Sequence, residues 1–264
     1  MHLWPALLLL LPLACRQSMV STAVSDDEAV ADWTLLYSWV VTDDGLVDYD
    51  ALEADRDVLD RYVSMLADND SWRGRATKDW HARWLNAYNA LTMFQVLERG
   101  RPDSVLTPRR LLPMSGAAFF IETQFKLGPD WLSLSEIEHQ RVRQKELDIR
   151  DHAALNCASM SCPPLSRALY RSGSLRAQLD NQMTRWVMDP KRGVRIEEGQ
   201  AVFNPIFDWY GRDFHFWTVE MDLCAIAAQY ANGKKKAALN TLSASGCPHR
   251  FFEYDWTLND ASAR

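Results

Sequence analysis

The sequence predicts a helix-rich α+β single domain, built around a central buried helix with a small, mostly antiparallel sheet. The stretch Trp80 to Leu97 has apolar side chains on almost every face of a helix, so the rest of the domain must surround it. Amphipathic helical segments precede this stretch, and short apolar segments separated by Gly-containing turns follow it. Helices combined with a few short strands are typical of α+β proteins.

Length and composition predict one domain, residues 26–264. The chain has 264 residues, of which 47% are apolar and 24% charged, and no linker-like composition divides it. Eleven Trp, eight Tyr and ten Phe favour a dense core or a groove lined with rings. The net charge of −6 argues against nucleic acid as a partner, because the only basic run is Lys234 to Lys236.

The amino terminus is typical of a targeting segment. Leu3 to Leu13 is apolar but too short to span a bilayer, so residues 1–15 are predicted to be a signal peptide and residues 16–25 a tether. Pro12-Leu13-Ala14-Cys15 is similar to a lipoprotein cleavage box. Membrane attachment through a lipid on Cys15 and simple cleavage beyond it remain alternatives. We therefore expect an extracytoplasmic protein, whether periplasmic, anchored as a lipoprotein, or secreted.

Four cysteines remain after Cys15, and export makes disulfides the expected state. Three pairings are open to them, and the sequence does not choose among these. The simplest pairing joins Cys157 with Cys162 and Cys224 with Cys247.

Local signals divide the first half of the chain into helices. Caps, apolar spacing and turn residues predict the following elements: a helix from Glu28 to Val41 capped by Asp26 or Asp27, a helix from Asp50 to Leu66, the central helix ending near Gly100, and a Pro-rich loop from Arg101 to Met114.

The second half mixes strands and helices. The same signals predict a hairpin of Phe119–Phe125 with Trp131–Leu134, a helix after Ser135, an apolar segment from His152 leading into Asn156–Pro164, a helix from Ser174 to Met188, a hairpin of Val194–Ile196 with Ala201–Phe203, helices at Phe207–Tyr210 and Val219–Tyr230, and an extended segment from Phe251 to Trp256.

Two amide side chains, Asn86 and Asn89, lie one turn apart on the central helix and are predicted to be buried. A buried amide without hydrogen-bond partners costs about 1 to 3 kcal/mol, so each must bond to a neighbouring group. The sequence leaves two roles open: the amides brace neighbouring loops, or they position catalytic groups.

The cysteine segment carries the most suggestive chemistry. A thiol becomes a nucleophile as the thiolate, which a helix amino terminus or a nearby imidazole stabilises. A third group can orient the imidazole or donate to an oxyanion, a logic similar to that of papain-like hydrolases and acyltransferases. The hypothesis is a cysteine-dependent hydrolase or acyl transferase acting on an amide or ester. Its candidate catalytic residues are Cys157, Cys162, His152, His139, Glu138, Asn86 and Asn89.

A disulfide would remove that nucleophile, and whether this protein is an enzyme stays open. The alternative is a non-enzymatic extracytoplasmic module with structural disulfides, which binds an unknown small molecule or peptide in an aromatic groove. Candidate walls of that groove are Trp84, Trp131, Trp209 and Tyr210. Zinc held by the same cysteines and histidines is a weaker option, because Cys-x4-Cys is a loose spacing. Nucleotide-binding glycine motifs are missing, and we expect no cofactor.

Several blocks resemble one family, the domain of unknown function 547 family of bacteria and plants. They occur in consistent order from about Trp33 to Asp260, with departures at His81 and Asn204. The resemblance implies an architecture and a set of marked positions, not a reaction. The blocks are WLNAYNAL at Trp84–Leu91, LSEIEH at Leu134–His139, HAALNCASMSCPPL at His152–Leu165, IFDWY at Ile206–Tyr210 followed by Asp213-Phe214, and YDWTLN at Tyr254–Asn259.

Overall fold

A computed structural model describes residues 15–17, 24–68, 70–72, 77–107, 118–144, 148–217 and 222–262. Residues 1–14 of the predicted signal peptide (residues 1–15), residues 18–23 of the predicted tether and residues 108–114 of the predicted Pro-rich loop lie outside these ranges. Within them, every helix is too short or too polar to span a lipid bilayer.

The first helix, α1, spans Asp26–Val40, so it begins at the first of the two predicted caps and two residues before the predicted start at Glu28. Ser25 is the N-cap, and its hydroxyl accepts a hydrogen bond from the backbone N–H of Glu28. Asp26 and Asp27 lie instead in the first turn, where their charges are favourable against the helix dipole.

The helix predicted from Asp50 to Leu66 is two helices, α2 at Tyr49–Ala54 and α3 at Arg56–Ala67. Asp48 caps α2, because its carboxylate accepts a hydrogen bond from the N–H of Ala51 at 2.9 Å. The apolar period continues across the break between the two helices, which is why the sequence pattern alone joins them.

The central helix is confirmed as α4, Thr77–Glu98. Its apolar residues from Ala82 onward are buried, and Leu85, Leu91 and Val96 have no exposed surface. Gly100 lies two residues after the end of the helix, and its φ of 70° is in the left-handed region that favours glycine. The predicted C-terminal glycine is therefore correct.

In the described part of the chain, six short strands form two three-stranded sheets, and each sheet has one parallel and one antiparallel pair. Both predicted hairpins are present. Arg16 and Gln17 belong to the first strand, although the sequence pattern assigns them to a tether. The strands are β1 at Cys15–Gln17, β2 at Thr123–Leu127, β3 at Asp130–Leu132, β4 at Arg195–Glu197, β5 at Gln200–Phe203 and β6 at His249–Phe251.

The predicted strand beginning at Phe119 is wrong at its start, because a short helix, α5 at Ala118–Ile121, precedes β2. A short apolar run does not distinguish a strand from a buried helical turn. The remaining helices are α6 at Leu134–Glu136, which continues as a π-helical segment at Ile137–Arg143, then α7 at Asp151–Ala154, α8 at Leu175–Met188, α9 at Ile206–Trp209, α10 at Gly211–Trp217, α11 at Leu223–Tyr230 and α12 at Gly233–Ala244.

Buried apolar side chains form two clusters, one around α4 and the other around α8, β5 and α11. Helix α7 joins them, since Ala153 belongs to one cluster and Ala154 to the other. Trp256 packs against both clusters. Helix α7 also carries His152, one of the predicted site residues.

Candidate functional site

A cavity of about 240 Å³ lies where the segments from α4, the π-helical segment, α7, the cysteine loop and α9 meet the C-terminal segment. Five of the seven predicted site residues line it: Glu138, His139, His152, Cys157 and Cys162. Aromatic side chains supply much of the remaining wall, namely Tyr88, Phe120, Trp209, Tyr210, Tyr254 and Trp256. The sequence thus predicted residues that the fold brings together.

The other two predicted residues, Asn86 and Asn89, do not line this cavity. Asn89 is buried, donates to the carbonyl of Ala154 at 2.9 Å and accepts from the N–H of Asn156 at 3.0 Å. Asn86 is half-buried and makes the same two bonds with Tyr170, at 2.9 and 2.8 Å. Both amides therefore brace loops through backbone groups, which is the first of the two roles that the sequence left open.

The cysteine loop is fixed by a second asparagine. The side-chain oxygen of Asn156 accepts from the N–H of Ala158 at 2.8 Å, and its nitrogen donates to the carbonyl of Pro163 at 2.8 Å. Ala158 has a φ of 61°, a conformation that disfavours any residue with a Cβ. Such strain costs about 1 to 3 kcal/mol and persists only where surrounding contacts enforce it.

The loop also lies very close to Gly45, which precedes α2. Gly45 has a φ of 76°, and a Cβ added to it would lie 2.6 Å from both the Pro164 side chain and the Leu165 nitrogen. Only glycine fits this approach.

Both cysteine pairs form the simplest predicted disulfides, Cys157–Cys162 and Cys224–Cys247. The sulfur of Cys157 lies 3.3 Å from the Tyr254 hydroxyl, which is also 3.3 Å from the Cys162 sulfur. Among the described residues, no imidazole nitrogen hydrogen-bonds to either of these two sulfurs. The thiol–imidazole pair of the papain-like hypothesis is therefore not formed, and the disulfide also takes up both thiols that zinc would need.

His152, on α7, forms a hydrogen bond with Asp213 of α10. Its Nε2 lies 2.9 Å from Oδ2 of Asp213, which also accepts from Arg143 Nε at 2.7 Å. Burial alone would raise the pKa of Asp213, but the bonds from His152 and Arg143 outweigh burial and hold it well below its usual value. Since Asp213 is ionised, the Nε2 of His152 is the donor.

Arg143 joins this pair to the second histidine. Its Nη1 donates to Nδ1 of His139 at 2.7 Å, and the two residues lie four apart on the π-helical segment. The guanidinium also lies over the ring of Tyr210, 4.5 Å from its centroid. Asp213 and Arg143 are functional candidates that the residue-level reasoning missed, although Asp213 falls in one of the blocks that resemble the family.

Glu138 lies between two tyrosines. Its Oε1 accepts from the Tyr210 hydroxyl, and its Oε2 accepts from the Tyr88 hydroxyl at 3.3 Å. Burial, followed by the charge of Glu138, raises the pKa of both tyrosines well above the usual value, so both remain neutral donors.

The predicted aromatic walls divide into two groups. Trp209 and Tyr210 line the cavity, and Trp209 stacks on Trp256 at 5.4 Å. Trp84 packs in the core against Trp72, with 4.4 Å between the ring centroids, and the guanidinium carbon of Arg16 lies 4.9 Å from the ring centroid of Trp131. These last two are not walls of the cavity, and their predicted role is corrected.

Fold and site together define a helix-rich α+β protein with an aromatic pocket closed on one side by a disulfide. Residues 75–187, less than half of the chain, match the family model described as Protein of unknown function, DUF547. The match covers Glu138, His152 and both cysteines of the loop, whereas the aromatic wall from Trp209 to Trp256 lies beyond it. No curated protein and no solved structure matches the chain.

Proposed function

We propose that this protein is a binding module that holds a small organic ligand in the aromatic pocket, without catalysing a reaction on it. The observation that carries the proposal is the closed disulfide, because a bonded Cys157 has no thiolate with which to attack a carbonyl. The pocket otherwise has the usual make-up of a ligand site, an apolar wall with a few convergent polar groups.

The size of the cavity limits the ligand. Sites for drug-sized molecules are typically about 300 to 1,000 Å³, so a cavity of about 240 Å³ suits a compact molecule or the end group of a longer one. Trp209 is 48% exposed at the cavity and is available to contact a ligand without rearrangement of the core.

The function test uses the intact, oxidised protein. Tryptophan fluorescence reports ligand binding directly, because Trp209 and Trp256 line the cavity. A set of neutral, cationic and anionic fragments is titrated into the wild type and into Trp209→Leu. Saturable changes that Trp209→Leu weakens support the proposal, whereas no saturable binding across the set refutes it.

A second candidate is the cysteine-dependent hydrolase or acyl transferase, acting after reduction of Cys157–Cys162. One observation favours it: the strained backbone at Ala158 directly follows Cys157, and such strain is common at active sites. His152, oriented by Asp213, lines the same cavity as the sulfurs.

Thiol labelling and an ester substrate distinguish the two candidates. Hydrolysis of p-nitrophenyl acetate is measured before and after mild dithiothreitol treatment, with alkylated cysteines mapped by peptide mass. Cys157 is half-buried while Cys224 and Cys247 are buried, so the loop disulfide is reduced first. Turnover that appears on reduction and is lost in Cys157→Ser supports the enzyme; its absence supports the binding module.

We also propose an extracytoplasmic location, on the basis of the apolar leader and the two disulfides. Intact-mass analysis of the mature protein tests this. A mature chain beginning near Cys15, with or without the added mass of a lipid, is expected. A chain that retains the leader contradicts the proposal.

A further inference from the structure

We propose that the pocket selects ligands that carry a positively charged ammonium group, with Glu138 as the counter-charge and the aromatic wall as the second contact. This inference rests on the proposed binding function and names the class of ligand.

The first argument is the environment of Glu138. Its two oxygens accept hydrogen bonds from Tyr210 and Tyr88, yet within the described part of the chain no lysine or arginine nitrogen lies within 4.0 Å of them. A half-buried carboxylate in an apolar cavity is costly unless a cation pairs with it. Each carboxylate oxygen has two lone pairs, so both retain acceptor capacity for a ligand N–H.

The second argument is that the neighbouring cation is already engaged. Arg143 makes a bidentate ion pair with Asp213, at 2.7 and 3.0 Å, and donates a further bond to His139. Since Arg143 is paired with Asp213, the negative charge of Glu138 beside the cavity has no lysine or arginine hydrogen-bonded to it among the described residues. That charge favours a cationic ligand and disfavours an anionic one.

The third argument is the chemistry of the wall. The negative face of an aromatic ring attracts ammonium groups, and tryptophan is the best such partner. Trp209 stacks almost parallel on Trp256, at 12° between ring planes, and Tyr254 lies 4.8 Å from Trp209. These rings line the same cavity as the Glu138 carboxylate. An ammonium group in the cavity can therefore contact the carboxylate and an aromatic wall together.

The test compares ligands that differ in charge but not in shape. Choline is paired with 3,3-dimethylbutan-1-ol, its uncharged carbon isostere, and benzylamine is paired with benzyl alcohol. Each is titrated by isothermal calorimetry into the wild type, into Glu138→Gln, and into Glu198→Gln, a matched change at an exposed hairpin turn outside the cavity. The glutamine side chain keeps one acceptor oxygen and adds an N–H donor, and a tyrosine hydroxyl oxygen can accept a hydrogen bond from that N–H.

We expect the charged member of a pair to bind about tenfold or more tightly than its isostere, as cation–π contact and a partly desolvated carboxylate together imply. Glu138→Gln is expected to abolish that preference, and Glu198→Gln to leave it unchanged. Equal binding of charged and neutral members overturns the charge selection while leaving the binding function intact. Binding of neither pair overturns the inference, and the fragment set then decides separately whether the pocket binds anything. The isostere comparison in the wild type stands even where Glu138→Gln fails to fold.

Discussion

Replacing Asn89 by alanine is expected to be among the most destabilising single changes near the pocket. The substitution removes two buried hydrogen bonds and leaves the carbonyl of Ala154 and the N–H of Asn156 without partners. An unsatisfied buried polar group costs about 1 to 3 kcal/mol, so the free energy of unfolding should fall by about 2 to 5 kcal/mol.

Asn86→Ala is the matched control, because Asn86 makes the same two bonds from the same helix, to the backbone of Tyr170. Because Asn86 is half-buried, water can replace many of the hydrogen bonds that the substitution removes. We therefore expect the free energy of unfolding of Asn86→Ala to fall by only about 1 to 2 kcal/mol. Urea unfolding of both oxidised variants, followed by circular dichroism, measures the difference.

A second readout separates bracing of the cysteine loop from general stability. Asn89 accepts a hydrogen bond from the backbone N–H of Asn156, the residue before Cys157. Asn89→Ala should therefore speed reduction of the loop disulfide, whereas Asn86→Ala should not. Equal losses of stability in the two variants, or a loss below about 1 kcal/mol for Asn89→Ala, would refute the reasoning.

Three further outcomes are expected. Gly45→Ala should lower stability by more than about 2 kcal/mol, because backbone strain at its positive φ adds to the steric overlap of the new Cβ. Gly100 has a similar φ but open space around it, so Gly100→Ala should lower stability by about 1 kcal/mol. Thermal melts compare the two variants. Replacing both Cys224 and Cys247 by serine should lower stability by about 3 kcal/mol, from the entropy of the loop they close, without changing fragment binding; a change in binding would contradict the assignment of the site. Because the pKa of Asp213 is lowered in the folded protein, its ionised carboxylate stabilises the fold above the ordinary aspartate pKa of about 3.9. Asp213→Asn should therefore lower the free energy of unfolding by about 1 to 3 kcal/mol at pH 7, and this loss should shrink as the pH falls below about 4. A loss of stability that is constant with pH would refute the prediction.

The sequence predicts the class of the fold and the central helix because apolar periodicity is a local property. It also predicts that Glu138, His139, His152 and the cysteines belong together, since a thiol, an imidazole and an orienting group are the parts of a nucleophilic site. What it does not predict is the division of roles. Whether an amide on α4 faces a backbone carbonyl or an open cavity depends on the tilt of the helix against distant loops.

The two departures from the family blocks illustrate the same limit. His81 is buried and lies 2.8 Å from Asp151, the residue that precedes His152. Asn204 is fully buried and donates to the carbonyls of Ser161 and Arg192. Both departures are thus braces close to the site, a role defined by partners far away in the sequence. The same holds for Asp213, whose importance depends on the packing of α10 against α7.

Because the pocket takes walls from Tyr88, from the cysteine loop and from Trp256, it is completed only after Trp256 has been synthesised. A nascent chain emerging from the ribosome carries the histidines and both loop thiols well before Tyr254 and Trp256 arrive to cover them. Oxidation of the loop can therefore precede closure of the cavity, and a product that terminates before the last aromatic residues would display its sulfurs and carboxylate uncovered.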